Sequence, residues 1–253
     1  LDFKNLNNKT GMKPFLLLLL TCFCLPGIIS AQITDPKATE VWEPEPRIVT
    51  PGTNNSAPSD AIVLFDGSNL DAWTAVDGAP PKWKISGDHM IVQEGGGIKT
   101  KEQFGDCQLH IEWSAPTVIE GTGQGRGNSG VFFQERYEVQ VLDSYNNRTY
   151  SNGQAGSVYK QHLPLVNAMR APGEWNVYDI IFMAPRFNAD GMRTASGRVT
   201  VIHNGVVVQN NVEIKGTTEY IGLPKNIAHG DDSIMLQDHS NPVRYRNIWV
   251  RKL

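Results

Sequence analysis

In "RVTVIHNGVVVQNN", Arg198 to Asn211, the pair Asn204-Gly205 stands between two β-branched runs. Both residues tolerate positive φ, as a two-residue hairpin turn demands, so the pair between alternating apolar residues predicts two antiparallel strands and their register. The same period-two pattern recurs along the chain. "WKISGDHMIVQ" predicts a hairpin around Gly87-Asp88, and "CQLHIEWSA" alternates Leu109, Ile111 and Trp113 with Gln108, His110 and Glu112. "NSGVFFQERYEVQVLD" reads as two short strands around a tight turn, and further strands fit "WNVYDIIFMAP", "SIMLQDH" and "RYRNIWVRKL". There is neither a long amphipathic helix nor an internal repeat. Short strands with turn punctuation predict an all-β fold, an antiparallel jelly-roll β-sandwich whose outer face is free to curve into a cleft.

The 253 residues, 40% hydrophobic and 19% charged, suffice for one large or two small globular domains. A formal charge of -3 without a basic stripe argues against nucleic acid or an anionic membrane as partner. Met12-Lys13 precedes the apolar run "PFLLLLLTCFCLPGIIS" and then Ala31-Gln32, the layout of a signal peptide cut near Gln32. The residues before Met12 read as lying upstream of the true start. Pro26 and Gly27 break the run, which is too short for a span, so the mature chain is expected not to insert into a membrane. An exported protein, periplasmic or secreted, is therefore predicted. Cys22 and Cys24 fall in the removed segment, leaving Cys107 as a free thiol buried beside Leu109 and Ile111, and stability must come from the core. Residues 32–60, rich in Pro, Ser, Thr and Asn, read as an extended leader, and residues 61–253, opening at "AIVLFDG", as the domain.

Along Tyr137-Glu138-Val139-Gln140-Val141 the side chains alternate faces, so Glu138 and Gln140 share one face, about 7 Å apart, and the valines the other. A polar row of this kind is either the solvated face of a sheet or the lining of a site. His110 and Glu112 read as such a solvated face. "QDHSNPVRYRN" concentrates Gln237, Asp238, His239, Arg244, Arg246 and Asn247, either as reactive groups or as an inter-strand salt-bridge network. Other motifs carry less. "GTGQGRGNSG" precedes a strand rather than a helix, so it offers no helix N-terminus to a pyrophosphate and reads as a flexible loop. The six histidines lack metal-ligand spacing and one thiol cannot build a zinc cage, so no metal ligand is assigned. Asp231-Asp232 read as solvated loop acids rather than a calcium site, and Ser129 lacks the nucleophile elbow.

The blocks "LFDGSNLDAWT", "GNSGVFFQERYEVQVLD", "GSVYKQHLPLVNAMRAPGEWNVYDI" and "IMLQDHSNPVRYRNIWVRKL" resemble, in order, the signature blocks of the 3-keto-disaccharide hydrolase family, long classed as a domain of unknown function. The resemblance runs from about Ala61 to Leu253. It implies a concanavalin A-like β-sandwich, an exported setting, and action on glycosides whose glucosyl unit is oxidised at C3. A ketone at C3 acidifies the C2 proton, so the glycosidic bond can break by proton abstraction and elimination, with water added afterwards. One base suffices for that, whereas conventional glycosidases use two carboxylates, about 5 Å apart for retention or about 6.5 to 9.5 Å for inversion. The same-face partner of Glu138 is Gln140, which cannot ionise, and Asp143 has the opposite parity unless a bulge intervenes.

Under this resemblance Glu138 is the candidate base and Gln140 a holder of a sugar hydroxyl or the enolate oxygen. His239 becomes the proton donor and Arg246 the enolate's stabiliser. Asn128, Tyr159, Lys160, Asn167, Trp175, Asn176 and Asp238 are carried over as substrate contacts, with Trp175 alternatively a core residue opening a strand. The implied partner is a small carbohydrate; no cofactor is called for, a divalent metal is left open, and oligomeric state is not addressed. A noncatalytic carbohydrate-binding module on the same fold is the alternative. A conventional endoglucanase is a more distant one, for which no carboxylate pair is found.

Overall fold

The computed structural model describes residues 33–253, so the expected signal peptide with Cys22 and Cys24 lies outside the described residues. The chain divides into two units, Leu1–Arg47 and Ile48–Leu253. The described part of the first carries a 3-10 turn, Pro36–Thr39, capped by the Asp35 carboxylate on Lys37 N. No helix among the described residues is long and apolar enough to cross a membrane.

The second unit is a β-sandwich. Its strands in chain order are β1 (Ile62–Phe65), β2 (Trp73–Ala75), β3 (Lys84–Ser86), β4 (His89–Ile91), β5 (Ile98–Phe104), β6 (Cys107–Ser114), β7 (Ser129–Phe133) and β8 (Tyr137–Val141). They continue with β9 (Asn176–Met183), β10 (Arg186–Phe187), β11 (Arg193–Ala195), β12 (Arg198–His203), β13 (Val206–Glu213), β14 (Asp232–Leu236) and β15 (Arg244–Lys252). One sheet runs β13-β12-β9-β6-β15-β4-β3 with β1 also on β15, the other runs β2-β5-β14-β7-β8, and β10-β11 form a small ribbon. The described pairings are antiparallel, giving the expected jelly-roll type of sandwich.

The predicted hairpins form. Asn204 and Gly205, at φ 52° and 81°, join β12 to β13, and Gly87 with Asp88 joins β3 to β4. In β15 the residue at φ 45° is Asn247, where the register against β6 shifts. That bulge lets Tyr245 and Ile248 both face inward although they are three residues apart.

Period two then sorts each strand. Leu109, Ile111 and Trp113 of β6, Tyr178, Ile180 and Phe182 of β9, and Val139 and Val141 of β8 all enter one buried cluster. Phe133 of β7 stacks on Phe182 of β9 at 4.6 Å between centroids, tying the sheets together. Each such side chain contributes about 1.5–3 kcal/mol on burial, and the cluster stands in for disulfides. Cys107 is a buried free thiol, as expected.

One feature of topology positions the site. Strand β8 is the edge of its sheet. An open edge invites pairing with another chain, and here the segment 156–159 covers it. Gln140 N donates to Ser157 O (3.0 Å), Gly156 N to Gln140 O (3.0 Å) and Tyr159 N to Glu138 O (3.2 Å). This pairing carries Tyr159 and Lys160 to the side of Glu138.

Candidate active site

Because Val139 and Val141 are in the core, Glu138 and Gln140 face outward from the sandwich. They do not meet bulk solvent: Glu138 is only 4% exposed and Gln140 1%. Both line a cavity of about 690 Å³. Of the two readings of this polar row, the geometry fits the lining of a site rather than a solvated face, because loops from either side roof it. On β7, Gly130 pairs with Gln140 and Phe132 with Glu138. A Cβ at Gly130 would stand 2.6 Å from Glu138 Oε1 and 2.8 Å from Phe132 Cε2, so the missing side chain makes the space that the carboxylate occupies.

Burial pushes the Glu138 carboxyl up to about 8. No cation among the described residues pairs with it to offset the desolvation. With its amide turned to satisfy its neighbours, Gln140 donates to Glu138 Oε1 (2.9 Å) and Ser129 O (3.0 Å). Among the described residues, Glu138 is the one carboxylate lining the cavity. A proton acceptor of this strength in a walled site suits general base catalysis near neutral pH.

Two kinds of wall surround it. Gln124, Asn128 and Gln237 add amides, and Gln237 Oε1 is buried without a partner among the described residues. Tyr150, Tyr159 and Tyr220 add rings around Lys160. The Tyr150 and Tyr159 hydroxyls share a hydrogen bond of 2.6 Å. Lys160, itself in left-handed backbone at φ 56°, places Nζ 4.4 Å from the Tyr220 ring centroid and 5.7 Å from those of Tyr150 and Tyr159, and donates to Tyr220 O. His239 lines the cavity from an exposed position just beyond β14.

Of the residues expected at a site, the cavity unites Glu138, Gln140, Asn128, Tyr159, Lys160 and His239. The others are elsewhere. Arg246 lies on the outer face of the larger sheet, bonded to Glu112 Oε2 (2.7 Å) and Asp88 Oδ2 (2.8 Å) and stacked 4.1 Å from the Trp175 ring. It is part of a structural ion-pair network, and the role of enolate stabiliser is withdrawn from it. Trp175 packs against Arg244 and Arg246 rather than opening onto the cavity. Asn176 is fully buried and its Oδ1 accepts from Arg170 N, His203 and Asn204, so it braces a turn. Asn167 shapes its own loop through Ser144 O and Met169 N. Asp238 caps Gly96 N and Ser240 N.

Two further expectations change. His110 and Glu112 are buried, not solvated: His110 Nδ1 lies 2.7 Å from Asp179 Oδ1, and its ring stacks on Trp249 at 5.0 Å. Burial alone would lower the His110 pKa, but its hydrogen bonds to Asp179 and Glu112 carry it upward, while the His110 bond leads the set that holds Glu112 down at about 2. The Gly-rich loop is pinned rather than flexible. Arg126 Nε donates to the buried Asp143 (2.7 Å), and Asn147 bonds Gly123 at both N and O. This loop delivers Gln124, which sequence reasoning missed along with Phe132, Tyr150, Thr218 and Tyr220. Phe132 sits in the predicted hairpin directly opposite Glu138 and could have been found from that pairing, whereas the segments of the other four carry no periodic signal and reach the site only through the way distant loops fold over β8. No group of three or more His, Cys, Asp or Glu able to hold a metal occurs among the described residues.

With the site's geometry established, similarity to known proteins bears on its chemistry. Residues 60–251 match the model of the 3-keto-alpha-glucoside-1,2-lyase-like domain family. A crystal structure of a candidate glycosyl hydrolase from Parabacteroides distasonis is similar at 54% identity and a TM-score of 0.84, covering 87% of this chain and 97% of that one. Two more candidate glycosyl hydrolases from the same organism share the fold: one at 21% identity, TM-score 0.54, covering 76% and 99%, the other at 18%, 0.56, covering 77% and 94%. No curated protein matches the chain.

Proposed function

We propose, from the premise that this chain belongs to the 3-keto-alpha-glucoside-1,2-lyase-like domain family, that its cavity cleaves the glycosidic bond of 3-keto-glucosides by elimination. The observation that carries this reading is the lone carboxylate. Acid-base hydrolysis of an ordinary glycoside takes two carboxyl groups, and among the described residues the cavity is lined by Glu138 alone.

Glu138 takes the proton from C2, which the C3 ketone acidifies. The electron pair moves into an enolate, whose oxygen is met by the Lys160 ammonium, while Gln140 holds the Glu138 carboxyl in place. The enolate then re-forms the ketone with a C1=C2 double bond as the C1–O bond breaks, and His239 gives a proton to the departing oxygen. Water adds at C1 and gives up its second proton to His239, while the proton held by Glu138 returns to C2, so both groups are restored and the net reaction is hydrolysis. A noncatalytic sugar-binding module would have no use for a buried carboxylate raised to about 8. Export after removal of residues 1–31 belongs to the same proposal, and N-terminal sequencing of the mature protein tests it.

The deciding experiment incubates the protein with a 3-keto-glucoside and with its unoxidised parent. Cleavage of the first and not the second is expected. Equal cleavage of both would sink the elimination mechanism.

A further inference from the structure

The loop Thr217–Lys225 stands at the cavity with its neck closed and its tip open. Thr217 N donates to Lys225 O (2.9 Å), and Lys225 N donates to Thr217 Oγ1 (3.2 Å). Next to the neck, Thr218 N donates to Arg136 O (2.8 Å) and Thr218 Oγ1 accepts from Glu138 N (3.0 Å). The loop is therefore fastened to the backbone of the base itself. Two residues further on begins the tip, within about 7 Å of chain from that anchor. Tyr220 is 72% exposed, Ile221 81% and Leu223 84%. Tyr220 lines the cavity, and Lys160 holds its carbonyl.

Three large apolar side chains so exposed, on a loop tied to a catalytic strand, mark a contact surface. A hydroxyl-rich ligand would find few partners there, since only Tyr220 of the three has a polar atom. Such partners are the amides Gln124, Asn128, Gln140 and Gln237, with Gln237 Oε1 unpaired among the described residues. The volume of about 690 Å³ is of the size that holds a drug-sized ligand, more than one hexose ring fills. The 3-keto-glucosyl unit belongs among the amides, and what is attached at C1 extends along the tyrosines toward the tip.

We propose that Tyr220, Ile221 and Leu223 form an apolar subsite for the leaving group, and that this group is a ring-bearing hydrophobic alcohol rather than a second sugar. The proposal rests on the reading of the cavity as a 3-keto-glucoside site. It leaves the chemistry unchanged: the alcohol departs with its oxygen, protonated by His239.

The test compares 2-phenylethyl 3-keto-glucoside with a 3-keto-disaccharide of the same anomeric configuration. Both leaving groups are alkyl alcohols, so the comparison reads recognition more than intrinsic lability. The phenylethyl substrate is expected to have a kcat/KM at least about tenfold higher, the scale of one hydrophobic group in a pocket. Ile221→Ser combined with Leu223→Ser should lower that ratio at least about fivefold, through KM, and Leu223→Thr alone serves should the double variant not fold. A preference for the disaccharide, or a ratio the variants leave unchanged, overturns the subsite. So does a variant that turns a dimer into a monomer by light scattering while the ratio stays fixed, since the tip would then be an interface between copies. If neither 3-keto substrate is cleaved, the proposed reaction fails instead. Calorimetric titration of the same two compounds then decides the subsite, and equal affinities overturn it.

Discussion

Glu138 carries opposite consequences for activity and stability. Glu138→Gln keeps shape and removes basicity, so turnover of a 3-keto-glucoside should fall roughly 10²- to 10⁴-fold with binding little changed. Gln140→Glu should not restore it, since the new carboxylate sits about 7 Å along the strand. The folded carboxyl titrates at about 8 against an ordinary 4.5. Its contribution to stability is therefore full below pH 4.5 and is lost as pH rises to about 8, by on the order of 5 kcal/mol. The neutral amide of the Glu138→Gln variant escapes that loss, and denaturant melts at pH 5 and pH 8.5 should show the variant gaining on wild type at the higher pH. An equal gap at both would contradict the burial of the charge. Gly130→Ala would push a Cβ to within 2.6 Å of the same carboxylate, so kcat should fall at least about tenfold with the fold retained, as circular dichroism can check. At this scale the sequence showed which face Glu138 shares with Gln140. It did not show that the face is roofed, because the roof comes from residues 124, 159 and 218, distant from β8 in the chain or joined to it only through backbone pairing.

At the scale of elements, strand and hairpin positions were legible because alternation and turn chemistry are local. In β12–β13 nothing lies within 4 Å of a Cβ built on Gly205, so the demand for glycine there is the positive φ alone. Gly205→Val should accordingly cost about 1 to 3 kcal/mol, read as a lowered Tm, and an unchanged Tm would mean that the turn does not hold the register. The segment 156–159 was not legible as the cover of β8. Its hydrogen bonds to β8 are made by backbone groups, which leave no signature in side-chain order. The bulge at Asn247 was hidden likewise, and it accounts for one of the polar residues concentrated in "QDHSNPVRYRN".

On the scale of the whole molecule the two sheets divide the tasks. The smaller presents the cavity, and the larger seals its outer face with Arg246, Glu112, His110 and Asp179. Arg246→Ala should therefore lower stability by about 1–3 kcal/mol, by removing the guanidinium from the buried Glu112 and leaving it to His110 and Asn247, while kcat/KM stays within a factor of about two. A collapse of kcat in a folded Arg246→Ala protein would return that residue to the chemistry. Because Glu112 is held at about 2, the seal's contribution is present above pH 4.5 and is lost as pH falls toward 2, the reverse of Glu138. Cys107 completes the picture from inside the core. Its thiol is fully buried, and desolvation raises it to about 12, so it is neither ionised nor within reach of oxidants. Residues 48–253 thus carry no disulfide and no reachable thiol that responds to the glutathione poise. Their folded state, and the cavity built on it, should be the same in glutathione-rich and in oxidising surroundings.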